Sequence, residues 1–366
     1  MNSDLLYQIA LTQTPFIGDV HAKALINIFG DAQTIFKTPR RKLENIEGIG
    51  TVKANSIKSF KDFTACEAEI KFIEKYKIVP LFLTAADYPK RLLNCYDSPA
   101  LLYYRGNADL NKSKIISVVG TRNHSDYGKQ VCEKLIADLK EQDILVVSGL
   151  AFGIDSIAHK AALKNNIQTV AVLAHGLDRI YPPQNKMLAK HMTENGGLLT
   201  DFKSGTCPDK QNFPKRNRIA AGLCDALVVI ESSRKGGSLI TAELGNSYNK
   251  DVFAIPGRTT DMKSEGCNYL IKNNKALLIT CADDLMEIMN WKPQQKTVAK
   301  KQRELFIELS VDEKRMVDVL NKKDCMQIDE LYLKSGLSSS AAASALLMLE
   351  MQGLVASLPG KVYKLI

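Results

Sequence analysis

The stretch from Ile115 to Gly153, IISVVGTRNHSDYGKQVCEKLIADLKEQDILVVSGLAFG, constrains the fold of this chain more than any other. An apolar strand runs into Gly120-Thr121-Arg122, a helix opens near Ser125, and a second apolar strand runs into Ser148-Gly149. Strands that are apolar along their whole length are covered on both faces, so they belong to a parallel sheet enclosed by helices. In open sheets of this kind ligands sit at the carboxyl ends of the strands, where helix N-termini favour anions. The arginine in the first turn suits a phosphate.

The same alternation continues to about residue 282. Strands are expected over 115–119, 144–147, 169–173, 198–200, 226–230, 252–255 and 277–280, with helices over 127–140, 155–164, 185–194, 217–223 and 239–249. A further strand at 79–83 extends the domain at its front edge. Before it, residues 1–75 read as all-helical. Gly48-Ile49-Gly50 sits between two helices there, and Phe16-Ile17-Gly18-Asp19-Val20 looks like a degenerate first copy. Paired glycines of this kind either bare backbone N–H groups to a DNA phosphate or supply a tight turn with φ > 0. Residues 291–308 form a basic linker, and 309–366 follow the winged-helix order of three helices and a hairpin. The third of those helices, within 338–352, carries no Arg or Lys. A major-groove reader needs such donors, so a docking or packing role is expected instead.

The bulk numbers exclude several classes. At 366 residues the chain is expected to hold two or three domains. No run approaches the ~18 apolar residues of a membrane helix, and Met1–Phe16 lacks a secretory signal. The eight cysteines are scattered with no CxxC pair. A cytoplasmic protein with reduced thiols, no metal and no membrane association is the expectation. The net charge of +9 permits a polyanionic partner without requiring one.

No P-loop and no GxGxxG fingerprint is present, so no nucleotide cofactor is expected. Asp155 and His159 stand four apart on one helix and would suit acid–base work. A capping Asp155 and a packed His159 explain them as well, and with no evident nucleophile that reading is preferred. Asn212-Phe213-Pro214-Lys215-Arg216-Asn217-Arg218 is less ordinary: three cations, two amides and a ring stand just before an expected helix. Guanidinium groups pair bidentately with phosphate, and a ring stacks on a base. Arg234-Lys235-Gly236-Gly237-Ser238 repeats the pattern at the end of another strand. Three such loops around one sheet point to a single extended phosphate-binding surface.

The motifs VVGTRNHSDYG, VVSGLAFGIDSIAH, TVAVLAHGLDRIYPPQN, NFPKRNRIAAG, GGSLITAEL, VFAIPG and GCNYLIKNNKA follow one another in order. Over roughly Tyr88 to Ala276 the chain resembles the DprA/Smf DNA-processing family. Local departures are Thr200-Asp201-Phe202, Gly236-Gly237-Ser238 and Asn273-Asn274-Lys275-Ala276, and none removes a cation from the binding loops. The resemblance implies a Rossmann-like, mostly parallel α/β sheet. A helix-hairpin-helix or SAM-like front domain precedes it and a winged-helix-like tail follows. It also implies a non-catalytic, homodimeric single-stranded DNA binder that helps load a RecA-type recombinase in natural transformation.

The expected organisation is a helical domain over 1–75, a Rossmann-like DNA-binding domain over 76–290, the linker, and the tail over 309–366. Arg122, Lys215, Arg216 and Arg218 are expected to neutralise phosphates and Phe213 to stack on a base. Gly120, Thr121, Ser148, Gly149, Asn217, Gly237 and Ser238 are expected to line the groove and offer backbone or hydroxyl donors. Leu270 and Ile271 are expected at a dimer interface. The rival is an enzyme, a LOG-like nucleotide phosphoribohydrolase, because Gly236–Glu243 is related to the PGGxGTxxE signature of that class. Lys235 replaces its proline, and the threonine–glutamate spacing differs.

Overall fold

The computed structural model describes residues 3–292, 309–323, 325–358 and 360–365. Two compact units result, Met1–Trp291 and Lys292–Ile366. The basic linker expected at 291–308 lies, from residue 293 on, outside the described residues.

In the first unit the expected parallel strands form. They are β3 (Lys114–Val119), β4 (Ile144–Ser148), β5 (Thr169–Val172), β6 (Gly196–Thr200), β7 (Ala226–Val229), β8 (Asp251–Ala254) and β9 (Leu277–Leu278). Before them come β1 (Val79–Phe82) and β2 (Leu101–Gly106), and the sheet order is β1-β2-β6-β5-β4-β3-β7-β8-β9. From β6 to β9 every pairing is parallel, while β2 runs antiparallel to both β1 and β6.

Alternate side chains of each central strand enter different cores, because successive residues of a strand point to opposite faces. Ile115, Leu145, Val147, Leu227 and Val229 pack with Ile219 and Ala242 on one face. Ile116, Val118, Ile144, Val146 and Val228 pack with Cys132, Leu135 and Ile157 on the other.

From β3 the chain winds outward through β4, β5 and β6, then returns to place β7 on the other flank of β3. The order thus reverses at β3, and the loops leaving β3 and β7 diverge at their carboxyl ends. A crevice opens at such a switch point.

The helical front belongs to the same unit and shares one apolar core with the sheet. Gly48 and Gly50 take φ of +79° and +60°, so the hairpin before the Gly50–Ser59 helix needs glycine for its backbone. Polar bonds pin the front domain to the sheet domain. Lys23 Nζ donates to the carbonyls of Leu93 (2.7 Å) and Cys95 (2.9 Å), and the Ala100 N–H donates to Asp19 Oδ1 (2.8 Å).

The second unit packs helices Val311–Leu320, Ile328–Ser335 and Ser339–Met351 around a small sheet. Its strands are β10 (Met326–Gln327), β11 (Val355–Leu358) and β12 (Val362–Leu365), in the order β10-β12-β11. The third helix buries Ala342, Ala345, Leu346 and Leu349, and presents Leu347, Met348 and Met351 to solvent. Its outer face thus combines serines, apolar side chains and Glu350, with no cation. No helix among the described residues is long and apolar enough to cross a membrane.

Candidate nucleic-acid interface

A cleft of about 540 Å³ opens at the reversal of the sheet. Its walls are the turn after β3 (Gly120, Thr121, Arg122), the turn after β4 (Gly149, Ala151), and the start of the helix after β7 (Gly237, Ser238). Close backbone approaches hold the first two walls together. A Cβ on Gly153, whose φ is +79°, would stand 2.2 Å from the Thr121 carbonyl oxygen. Leu150 takes φ of +103°, an uncommon and strained conformation for leucine. Its side chain is buried, and its carbonyl accepts from Asn185 Nδ2 at 2.9 Å, so packing and a buried amide fix the turn.

The third contributor differs from expectation. The segment from Phe213 to Arg218 is not a loop before a helix but the first turns of a helix spanning Asn212–Leu223. Pro214 is tolerated there because the N–H groups of a first helical turn have no intrahelical partner to lose. Helical spacing then sorts the side chains. Phe213, Arg216, Asn217 and Ala220 stand at i, i+3, i+4 and i+7 on one stripe, and all four line the cleft. Arg218 lies about 200° of helical turn from Arg216 and faces away.

The four expected phosphate cations therefore have four different surroundings. Arg122 is exposed in the cleft, its guanidinium 5.0 Å from the Phe213 ring centroid. Arg216 lies in the floor with 6% exposure, donating from Nη1 to the Val172 carbonyl at 2.7 Å. Its Nε has no partner, and a Cβ on Gly149 would stand 1.9 Å from Nη1, so any side chain there would have to displace the buried guanidinium. Lys215 is exposed but does not line the cleft.

Arg218 is the clear departure: it bonds Asp201 at 2.7 Å, Asp19 at 2.8 Å and the Asp97 carbonyl. Burial works against its charge, but the Asp201 and Asp19 carboxylates outweigh it and raise its pKa. Arg218 thus ties the helical front to the sheet and is not free for a phosphate. Lys210, just before the helix and not singled out from the sequence, lines the cleft in its place.

Two hydroxyls also turn inward. Ser148 Oγ donates to the Val118 carbonyl at 2.6 Å, and Ser238 Oγ donates to Ser232 Oγ at 2.8 Å. Neither proton points into the cleft. Gly120, Thr121, Gly149, Asn217, Gly237 and Ser238 do line it, as expected by position. Beside it a smaller apolar recess holds Phe152, Tyr181 and Phe213, with the Tyr181 and Phe213 rings 6.1 Å apart.

Asp155 and His159 do not form an acid–base pair. Asp155 is buried in the cleft wall, where it accepts weakly from the Ala151 N–H at 3.4 Å. Burial raises its pKa, with Arg216 pulling the other way. His159 is fully buried, with Nδ1 2.7 Å from Thr169 Oγ1 and Nε2 unpartnered. Burial, and next the Arg216 charge, lower its pKa to about 3.

Unfolded histidine takes a proton near pH ~6.5, so between there and about 3 the unfolded chain holds a proton that the native one refuses. Stability must fall as the pH drops through that window. His159→Gln is expected to flatten that fall by up to ~1.4 kcal/mol per pH unit, as chemical denaturation at pH ~4 to ~7 would show. An unchanged slope would mean that His159 is protonated in the native protein.

Glu243, the residue the enzyme reading needs, is exposed and paired with Lys275 at 3.2 Å, outside the cleft lining. Leu270 corrects the interface expectation. It has 0% exposure and packs in the main core, and Ile271 is half-buried against the same core. The Glu265–Lys272 helix uses its apolar stripe on its own sheet, so Leu270 cannot meet a partner without leaving that core. No group of three His, Cys, Asp or Glu among the described residues is placed to hold a metal ion.

Comparison with known proteins agrees with this architecture. Residues 80–290 match the family of DNA recombination-mediator protein A, and residues 306–361 match the DprA winged helix domain. The DNA processing protein DprA of Streptococcus pneumoniae is 41% identical over 238 residues, 62% of this chain and 84% of that one. Protein Smf of Synechocystis is 35% identical over 286 residues, 76% of this chain and 71% of its own length. The X-ray structure of the pneumococcal protein superposes with a TM-score of 0.68 at 33% identity, covering 77% of this chain and 97% of that one. A Helicobacter pylori DNA processing protein A superposes with a TM-score of 0.53 at 28% identity, covering 58% and 96%. That structure is described as giving insight into a single-stranded DNA binding mode.

Proposed function

This chain belongs to the DNA recombination-mediator protein A family, and we propose that its sheet-end cleft binds single-stranded DNA through the backbone, without cleaving it. The observation that carries the reading is the pairing of Arg122 with Phe213. An exposed guanidinium stands against the edge of a cleft beside a ring it touches at 5.0 Å. A phosphate on the first and a base on the second are one nucleotide apart in chemistry. Lys210 and the buried Arg216 add positive charge to the same walls. The relative described by its single-stranded DNA binding mode supports the same assignment. Contacts of this kind read backbone and ring faces, so base preference is slight.

The remaining parts of the reading follow the family: a cytoplasmic homodimer that hands DNA to a RecA-type recombinase during natural transformation. In this reading the helical front, fused to the sheet in one unit, supports the DNA-binding domain, and the cation-free third helix of the tail over 309–366 suits a protein contact. The proposed dimer surface does not include Leu270, which is buried within the protomer. The non-catalytic reading is supported by Glu243, which stands outside the cleft.

The direct test is titration of labelled oligo-dT at two salt concentrations, with duplex DNA and AMP as competitors. Salt-sensitive binding that neither competitor displaces is expected. Displacement by AMP, with release of its base, would favour the phosphoribohydrolase instead.

A further inference from the structure

A second cleft, of about 730 Å³, opens on the far side of the turns that wall the first. Two turns separate them. The turn after β3 gives Gly120–Arg122 to the first cleft and Ser125 to the second. The turn after β7 gives Gly236–Ser238 to the first and Glu231 to the second. That second turn also carries exposed Arg234 and Lys235, with Arg234 stacked 3.8 Å over the Tyr269 ring. Between Glu231 of the second cleft and Gly236 of the first, this turn is therefore cationic.

Beyond this turn the loop after β8 supplies Arg258, Met262 and Lys263. The Arg258 side chain is exposed and makes no hydrogen bond or ion pair with the described residues, while its carbonyl accepts from the Asp261 N–H at 3.1 Å. Lys263 Nζ has only the His124 carbonyl, at 3.2 Å. Tyr127 forms the opposite wall. Its hydroxyl donates to the Pro256 carbonyl at 2.9 Å, which holds a ring that is still 46% exposed. Met262 is 75% exposed beside it.

The acids do not cancel this charge. Glu231 is 2% exposed and accepts from both the N–H and the hydroxyl of Ser125, so its charge is committed inward. Asp261 is the one exposed carboxylate in the lining. A groove with free cations and a fixed aromatic face is what a single strand needs, because phosphates take the first and bases the second.

We propose that a single strand held at Arg122 and Phe213 continues over the Arg234–Lys235 turn into this second cleft, where Arg258 and Lys263 take its phosphates and Tyr127 a base. This rests on the binding reading of the first cleft. The occupant is a polynucleotide rather than a mononucleotide, since the cations are strung along two clefts and this turn. The second cleft would then set the length of strand a protomer covers.

The test compares oligo-dT of about four and about sixteen nucleotides on the full chain. Arg258→Ala with Lys263→Ala is expected to weaken the long oligomer about tenfold and lower its salt slope by roughly 1.4, leaving the short one unchanged. Arg258 is exposed and Lys263 partly buried on one loop, and thermal unfolding verifies that the variant is folded. Asp261→Asn is expected to act in the opposite sense and tighten the long oligomer about threefold. Equal loss at both lengths, or none at either, overturns the proposal, as does weaker binding by Asp261→Asn. Arg122→Ala separates the two readings. If it weakens both lengths while the double variant weakens neither, only the extension falls. If it weakens neither length, the binding reading falls and takes the extension with it.

Discussion

Arg218→Ala is expected to lower the unfolding free energy by about 3 kcal/mol while leaving oligo-dT affinity, per folded molecule, nearly unchanged. The side chain is 13% exposed, and Asp201 opposite it is 12% exposed. Removing the guanidinium leaves Asp201 buried without its cation and deprives Asp19, on the helical front, of the bond that spans to the sheet. Breaking one partner of a buried pair costs more than the pair itself contributes, because the surviving charge is stranded. The sign of the pH dependence follows. Burial already raises the Asp201 pKa, and loss of Arg218, whose charge lowers it, must raise it further. An Asp whose folded pKa exceeds its unfolded value gains stability as the pH falls through the folded pKa. The deficit of the variant is therefore expected to shrink under mild acid. Urea denaturation at pH ~7 and pH ~5 reads both quantities. A stable variant with lost DNA binding would put Arg218 back in the groove.

The case of Arg218 shows where the sequence is legible and where it stops. The strands β3, β4 and β7 are largely apolar runs rich in Val, Ile and Leu that lead into glycine-bearing turns, so a parallel sheet with a switch point is readable without coordinates. Strand β2, Leu101–Gly106, escapes notice because it is an antiparallel insertion between β1 and β6, and a strand–helix alternation has no place for it.

The cluster from Phe213 to Arg218 is visible in composition, but its function depends on angular position. Once the helix begins at Asn212, a shift of two residues separates a cation in the cleft floor from one that bonds the front domain. Long-range partners decide the rest. Asp19 lies 199 residues from Arg218, and nothing local marks it as that partner. Lys210 carried a readable signal, a lysine immediately ahead of the helix, but it is masked by the denser run of charge that follows. Leu270 shows the opposite error. An apolar helix near a glycine looks like a surface patch until the sheet that it covers is known.

The larger effect on binding is expected from Arg122 and Phe213 together. Arg122→Ala removes the exposed cation and is expected to cost at least ~1 kcal/mol, with a shallower salt dependence. Phe213→Ala removes the stacking face and is expected to cost about 1–3 kcal/mol. The two are not independent. The guanidinium lies 5.0 Å from the ring centroid, close enough for the ring to hold it by cation–π attraction before any DNA arrives. Phe213→Ala therefore also frees Arg122, and part of its cost is the loss of an ordered cation. A double-mutant cycle is expected to show a combined loss of roughly a hundredfold, about 2.7 kcal/mol, that falls short of the sum of the single losses by ~0.5 kcal/mol or more. Strict additivity would mean that ring and cation act on separate parts of the strand. If Phe213→Ala instead lowers the thermal midpoint while the folded fraction binds normally, the ring serves the helix start rather than the base, and Tyr181, 6.1 Å away, becomes the stacking face to test.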